Sequence, residues 1–365
     1  MDIEIKKNTL ETLKKAGQSP WYDNIDRRFI KEGLLARLFE NGILGVTSNP
    51  TIFEKSISAS EEYDESIKKL VKNGKNAVEI YDILSCEDVG HAADLLRDTY
   101  ENTGHLDGYV SIEVLPEIAH DALKTVKSAR GIFRKIGRPN IMIKIPGTKE
   151  SPEAVRALTR EGININVTLL FSRPHYETCA IAYIEGLKER VKDGKDVSNI
   201  FSVASVFISR VDAKLDKVFE ERGKSELKGK IAVSNAKIIY KRFKELFNSD
   251  EFVALKKKGA NPQRVLWAST SAKNPDYRDV KYVEELIGPY TINTMPPQTI
   301  EAFLDHGIVD LTIEKDVDKA KSYLATLKNL GIDINNICQK IQDEGVDAFQ
   351  ASFDKLTGSI KQKIR

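Results

Sequence analysis

A (β/α)8 barrel of the TIM type, with additional helices including C-terminal ones packed on its flank, is the fold class this 365-residue chain predicts. Three observations carry the expectation. Short β-rich stretches alternate with long amphipathic helical ones, the written form of repeated βα units. Eight β-rich stretches occur, and eight parallel strands with helical crossovers close most simply into a barrel. The competing architecture, an open doubly wound sheet, usually carries a Gly-rich GxGxxG turn, and the sequence has none. Residues 1–365 are expected to form a single barrel domain.

The first two strand candidates are SPWYDNI (19–25) and ILGVTSNP (43–50). Residues 51–108 then form a stretch too long for a simple crossover, which must hold helices of its own. YVSIEVLP (109–116) follows, and its terminal Pro opens the helical PEIAHDALKTVKSARGIF, as Pro commonly does in a first turn. IMIKIP (141–146) precedes SPEAVRALTREG, and NINVTLLF (164–171) precedes PHYETCAIAYIEGLKERVK, both again with Pro at the helix start. After FSVASVFIS (201–209) comes a second long helical insertion, 210–263. RVLWAS (264–269) and YTINTMP (290–296) complete the eight. In the closing segment Val346, Phe349, Phe353 and Leu356 recur at helical spacing, so this helix should dock on the body.

Bulk composition narrows the function classes. With 56 basic and 54 acidic residues the net charge is +2, which argues against a general nucleic-acid binder. Lysine runs such as LKKKGANP read as solvated helix ends. Cys86, Cys179 and Cys338 are far apart and form no CxxC pair, and the five histidines show no HxxxH or HExxH spacing. Neither a disulfide framework nor a metal site is therefore suggested. The opening MDIEIKKNTLETLKKAG is unlike a signal peptide and no apolar run would span a bilayer, so a soluble cytoplasmic protein is expected.

One lysine sits oddly. In NIMIKIPGT, Ile141, Ile143 and Ile145 share one strand face, whereas Met142, Lys144 and Pro146 share the other. Neighbouring strands repeat the arrangement. Val110, Ile112 and Val114 alternate with Ser111 and Glu113, and Ile165, Val167 and Leu169 alternate with Asn164, Asn166 and Thr168. With the apolar parity against outer helices, Glu, Lys, Asn and Thr point into the barrel, whose strand C-terminal ends carry the chemistry in such enzymes. A half-exposed antiparallel sheet would show the same alternation, but the intervening helices argue against it. Lone Asn or Thr residues in strands are mostly structural, so the combination counts for more than any member.

Covalent amine catalysis fits this set. A neutral lysine amine attacks a ketone and forms an iminium, an electron sink for cleavage of a neighbouring C–C bond. Glu113, on the adjacent strand, suits the proton transfers of carbinolamine formation and dehydration. Asp23, in WYDNI, is the carboxylate available to take a proton from the hydroxyl of the cleaved carbon.

Several segments resemble the transaldolases. GVTSNPTIFEKSI looks like the family's T-[ST]-N-P turn, and NIMIKIPGTKE followed by GININVTLLFS resembles its lysine strand and Asn-x-Thr strand. SVASVFISRVD is similar to its S-x-F-x-x-R segment, and TINTMPPQTIEAF to its last barrel strand. The matches run in order from residue 19 to about 305. The resemblance implies a lysine Schiff-base mechanism without metal or organic cofactor, in the non-oxidative pentose phosphate pathway. Sedoheptulose 7-phosphate or fructose 6-phosphate would form the adduct on Lys144, and Asp23 would take the C4 hydroxyl proton. Glu113 and Thr168 would handle the reacting water, while Asn49, Asn166, Ser205 and Phe207 would hold the three-carbon unit. Read without the resemblance, Asn49 is a plain Asn-Pro turn former.

Arg210 corresponds to the family's first phosphate arginine, a residue whose planar fork suits phosphate. The second arginine is absent. The chain reads WASTSAKNP there, so Lys273 is the expected point charge, with Ser269 and Ser271 as hydroxyl donors. This resembles a long-form branch of the family. The expected partners are sugar phosphates, not nucleic acid or membrane, with a homo-oligomer left open. The alternatives are a lyase like fructose 6-phosphate aldolase, whose members are shorter and usually carry Gln where Glu113 stands, and a noncatalytic sugar-phosphate-binding barrel.

Overall fold

The computed structural model describes residues 7–364. Eight parallel strands close in sequence order: β1 Gln18–Tyr22, β2 Gly45–Thr47, β3 Tyr109–Glu113, β4 Ile141–Pro146, β5 Ile165–Leu170, β6 Ser202–Phe207, β7 Gln263–Ala268 and β8 Thr291–Met295. Every expected strand is present and helices fill the intervals, so the fold is the (β/α)8 barrel. Most strands are shorter than their β-rich stretches, because the chain leaves the ladder to begin the next helix. Asn49 shows how. Its backbone is extended, but its side chain caps the helix Pro50–Ala59 by accepting from Ile52 N, so TSNP turns outward rather than prolonging β2. Asp23, expected within the first strand, lies one residue past the end of β1, its N–H still donating to the Met295 carbonyl of β8 at 2.9 Å.

Register places the alternating residues side by side. Glu113 pairs with Lys144 across β3 and β4, and Lys144 with Asn166 across β4 and β5. Their side chains meet inside the barrel, which leaves Ile141, Ile143 and Ile145, all fully buried, on the opposite face. The lower interior is closed by a polar plug. Arg264 pairs with Asp107 at 3.1 Å, and Asp107 also accepts from Ser19 Oγ at 2.8 Å and Trp21 Nε1 at 3.1 Å. Gly45 lets β2 pass this plug, since a Cβ there would stand 2.5 Å from the Trp21 ring.

The long insertions are helical. Residues 51–108 hold Asp64–Lys72, Ala77–Leu95 and Arg97–Asn102, and residues 210–263 hold Ile231–Phe247 and Asp250–Lys256. The final helix, Ile334–Ile364, runs along Pro50–Ala59 and buries Val346, Phe349, Phe353 and Leu356, as their spacing predicts. Polar ties fix its course. Thr51 Oγ1 lies 2.8 Å from Ser352 Oγ, Lys355 pairs with Glu54 at 2.8 Å, and Lys363 pairs with Asp64 at 2.6 Å. Among the described residues, no helix is long and apolar enough to cross a membrane.

Candidate active site

Lys144 is 3% exposed, yet its ammonium reaches the wall of a cavity of about 240 Å³ at the C-terminal ends of the strands. Nζ donates to the carbonyl of Ser48 at 3.1 Å and lies 3.2 Å from Glu113 Oε2. The contact with Glu113 is an ion pair, and among the described residues neither Glu113 oxygen has a partner of hydrogen-bond geometry. The ring of Phe349, from the C-terminal helix, stands over Nζ with its centroid 5.7 Å away.

Asp23 lines the same cavity, and Oδ1 accepts from Thr47 Oγ1 at 2.6 Å. Thr47 Oγ1 is also 2.6 Å from Thr294 Oγ1, so one hydroxyl chain links the ends of β1, β2 and β8. Burial pushes the Asp23 carboxyl above the usual carboxylate range, opposed by the Lys144 charge and the Thr47 hydrogen bond. Burial raises Glu113 as well, again opposed by Lys144, with the nearby Asp23 charge adding to the rise. Two carboxylates that hold protons more tightly than usual therefore stand near one lysine, a combination suited to moving protons.

The other expected site residues fall into two shells. Asn49, Thr168, Ser205, Phe207, Arg210, Ser269, Ser271 and Lys273 all line the cavity. Asn166 does not. It is fully buried behind Ser205, accepting from Ser205 Oγ at 2.7 Å and donating to Ser111 Oγ at 3.0 Å. Glu113 likewise sits behind Lys144 rather than on the wall. Asn49 commits one acceptor site of its oxygen to the helix cap, and its amide nitrogen is available to a ligand.

Cations gather at the mouth. Arg210 packs over the Phe207 ring at 5.4 Å, and partial desolvation lowers its pKa against a weaker opposing effect of Glu344. Lys273 is exposed and donates to Ser271 Oγ at 2.9 Å. Lys55, on the helix after β2, also lines the cavity. Lys55, Thr47, Thr294 and Phe349 line the cavity as well, beyond the residues expected from sequence. Thr47 lies in GVTSNP and Thr294 in TINTMP, so both carry a local sign of the site in their strand-end motifs. Phe349 is about two hundred residues from Lys144 and carries no local sign of the site.

A larger cavity of about 400 Å³ between Ile231–Phe247 and residues 313–317 lacks this chemistry. Its most buried cation, Lys237, donates hydrogen bonds to the carbonyls of Thr312 and Lys315. Among the described residues, no group of three His, Cys, Asp or Glu side chains is placed to hold a metal ion.

A parallel barrel that buries a lysine beside Glu113 at the C-terminal strand ends, with Asp23 lining the same cavity, is an arrangement suited to amine chemistry. The profile described as Transaldolase/Fructose-6-phosphate aldolase matches residues 20–360. The chain is 45% identical to a protein named Transaldolase from Trichodesmium erythraeum, with 98% of each chain covered. It is 46% identical to Transaldolase 2 of a Nostoc species at 98% coverage of both, and 41% identical to Transaldolase of Frankia alni at the same coverage. With that extent of similarity, the chain belongs to the transaldolase/fructose-6-phosphate aldolase family.

Proposed function

We propose that the chain transfers a dihydroxyacetone unit from sedoheptulose 7-phosphate or fructose 6-phosphate to glyceraldehyde 3-phosphate or erythrose 4-phosphate. The observation that carries this reading is Lys144, buried between Glu113 and the Ser48 carbonyl yet opening onto a cavity rimmed by Arg210 and Lys273. The Lys144 amine adds to the ketose C2 carbonyl, and loss of water from the carbinolamine leaves an iminium. Glu113 donates and recovers protons in these steps, and Thr168, whose buried hydroxyl has no partner among the described residues, orients the water. Asp23 takes the C4 hydroxyl proton. The C3–C4 bond breaks, its electrons pass to the iminium nitrogen, and an aldose phosphate leaves. The retained enamine then attacks the carbonyl carbon of the acceptor, and water releases the new ketose.

Ser205, held by Asn166, and the amide of Asn49 orient the three-carbon unit against the Phe207 ring. Arg210, Lys273, Ser269 and Ser271 take the phosphate. Transfer is preferred over simple lysis because the full-length relatives above are named transaldolases. The test is borohydride trapping with fructose 6-phosphate, read by intact mass and peptide mapping. A reduced three-carbon adduct on Lys144, absent from Lys144→Ala, is expected. No adduct on folded protein would favour a noncatalytic binder. Release of free dihydroxyacetone at the rate of aldose formation, with acceptor present, would favour the lyase.

A further inference from the structure

The C-terminal helix reaches the site through a second residue, Gln342, which is 2% exposed. Gln342 Nε2 donates to the carbonyls of Gly147 and Leu169, each at 2.8 Å. Gly147 lies three residues past Lys144, and Leu169 directly follows Thr168. Leu169 has φ +58°, and the register of β5 against β6 shifts between Val167 and Leu170. A branched residue in the left-handed region is strained and persists only where its surroundings hold it. Bulges of this kind re-aim neighbouring side chains and recur beside active sites.

Two further contacts serve the same bulge. Gly345, on the same face of the helix, leaves room for it, since a Cβ there would stand 3.1 Å from Leu169 Cδ2 and 3.5 Å from Arg210 Nη1. His175 Nε2 faces Gln339 Oε1 at 3.2 Å and so carries the ring proton, which leaves Nδ1 as an acceptor 3.3 Å from Gln342 Nε2. The amide nitrogen of Gln342 is thereby surrounded by acceptors and cannot be flipped without loss. In the residue before Leu169, the Thr168 hydroxyl is buried on the cavity wall, without a hydrogen-bond partner among the described residues.

From this geometry we infer that Gln342 is a positioning residue for Thr168: by clamping the Leu169 bulge to the end of β4, it aims the Thr168 hydroxyl at the water exchanged on Lys144. The inference rests on the proposed role of Thr168 in that step. It makes the C-terminal helix a working part of the site as well as a cover.

The test is a double-mutant cycle on the single-turnover rate of borohydride-trapped adduct formation, using Gln342→Met, Thr168→Val and both together. Gln342→Met keeps the volume and removes the donor. It is expected to slow trapping about tenfold, with donor KM within about twofold, because small misplacements of a proton-handling group act on the chemical step. In the Thr168→Val background the same substitution should cost nothing further. Equal slowing in both backgrounds would make Gln342 a general support and overturn the proposal, as would an unchanged rate in Gln342→Met. A wild-type rate in Thr168→Val alone would instead sink the assignment of Thr168, and the proposal with it. Should Gln342→Met fail to fold, Gln342→Glu enters the same cycle with the same criteria, since its carboxyl has the same shape but at most one proton for two carbonyls.

Discussion

Between Lys144, Glu113 and Asp23 the chain concentrates charge where solvent is scarce, and hydroxyls adjust the balance. Thr47 donates to Asp23 Oδ1, which favours the ionised carboxylate, while burial favours the protonated one. Removing the hydroxyl leaves burial less opposed, so the Asp23 pKa rises further and the base form is populated only at higher pH. In Thr47→Val the acid limb of kcat/KM should therefore move to higher pH. A pH–rate profile checks this, and an unmoved or lowered limb would put the base elsewhere. Both carboxylates hold protons more tightly folded than unfolded, so their contribution to stability is present at low pH and is lost as pH rises through their raised values. At the mouth, Lys273 offers a mobile charge in place of a planar fork. Lys273→Ala should raise KM for phosphorylated substrates about tenfold, the scale of a lost charged hydrogen bond. Trapping with free dihydroxyacetone should stay unchanged, and a parallel loss there would contradict a phosphate role.

Among the elements, the C-terminal helix Ile334–Ile364 links the site to the outer layer. Phe349 over Lys144 and the fully buried Leu356 are seven residues apart and share one face. Leu356→Ala should destabilise the protein by about 2–5 kcal/mol, the usual cost of emptying such a position. Urea unfolding measures it, and a loss well under 1 kcal/mol would mean the helix is loosely docked. The strands divide along their length: β4 is apolar outward over its whole run, and of its inward residues Lys144 meets the cavity.

For the whole molecule, the two ends of the barrel separate stability from activity. The plug of Arg264, Asp107, Ser19 and Trp21 sits at the end away from the cavity, and Arg264 also donates to the carbonyls of Leu106 and Thr291. Arg264→Met leaves Asp107 buried without its cation, a loss worth about 3–5 kcal/mol. Unfolding free energy should fall by that amount, with kcat/KM per folded molecule within about twofold. A large kinetic effect at full folding would show that the plug reaches the site.

Read alone, the sequence determined the eight strands, the parity that turns Lys144, Glu113 and Thr168 inward, and the helices that cover the apolar face. These follow from period-two alternation, helical spacing and Pro or Asn at helix starts, all written in contiguous residues. Tertiary structure alone decided which of the inward residues meet the cavity. Asn166 and Glu113 stand behind Ser205 and Lys144 because of cross-strand register, and the Asn49 oxygen serves a helix cap. It also brought Phe349 over the lysine, and Gln342 and Gly345 against Leu169, from the far end of the chain. Their place depends on how one helix docks across the closed barrel, and docking is settled by packing between distant segments that leaves no local pattern in either of them.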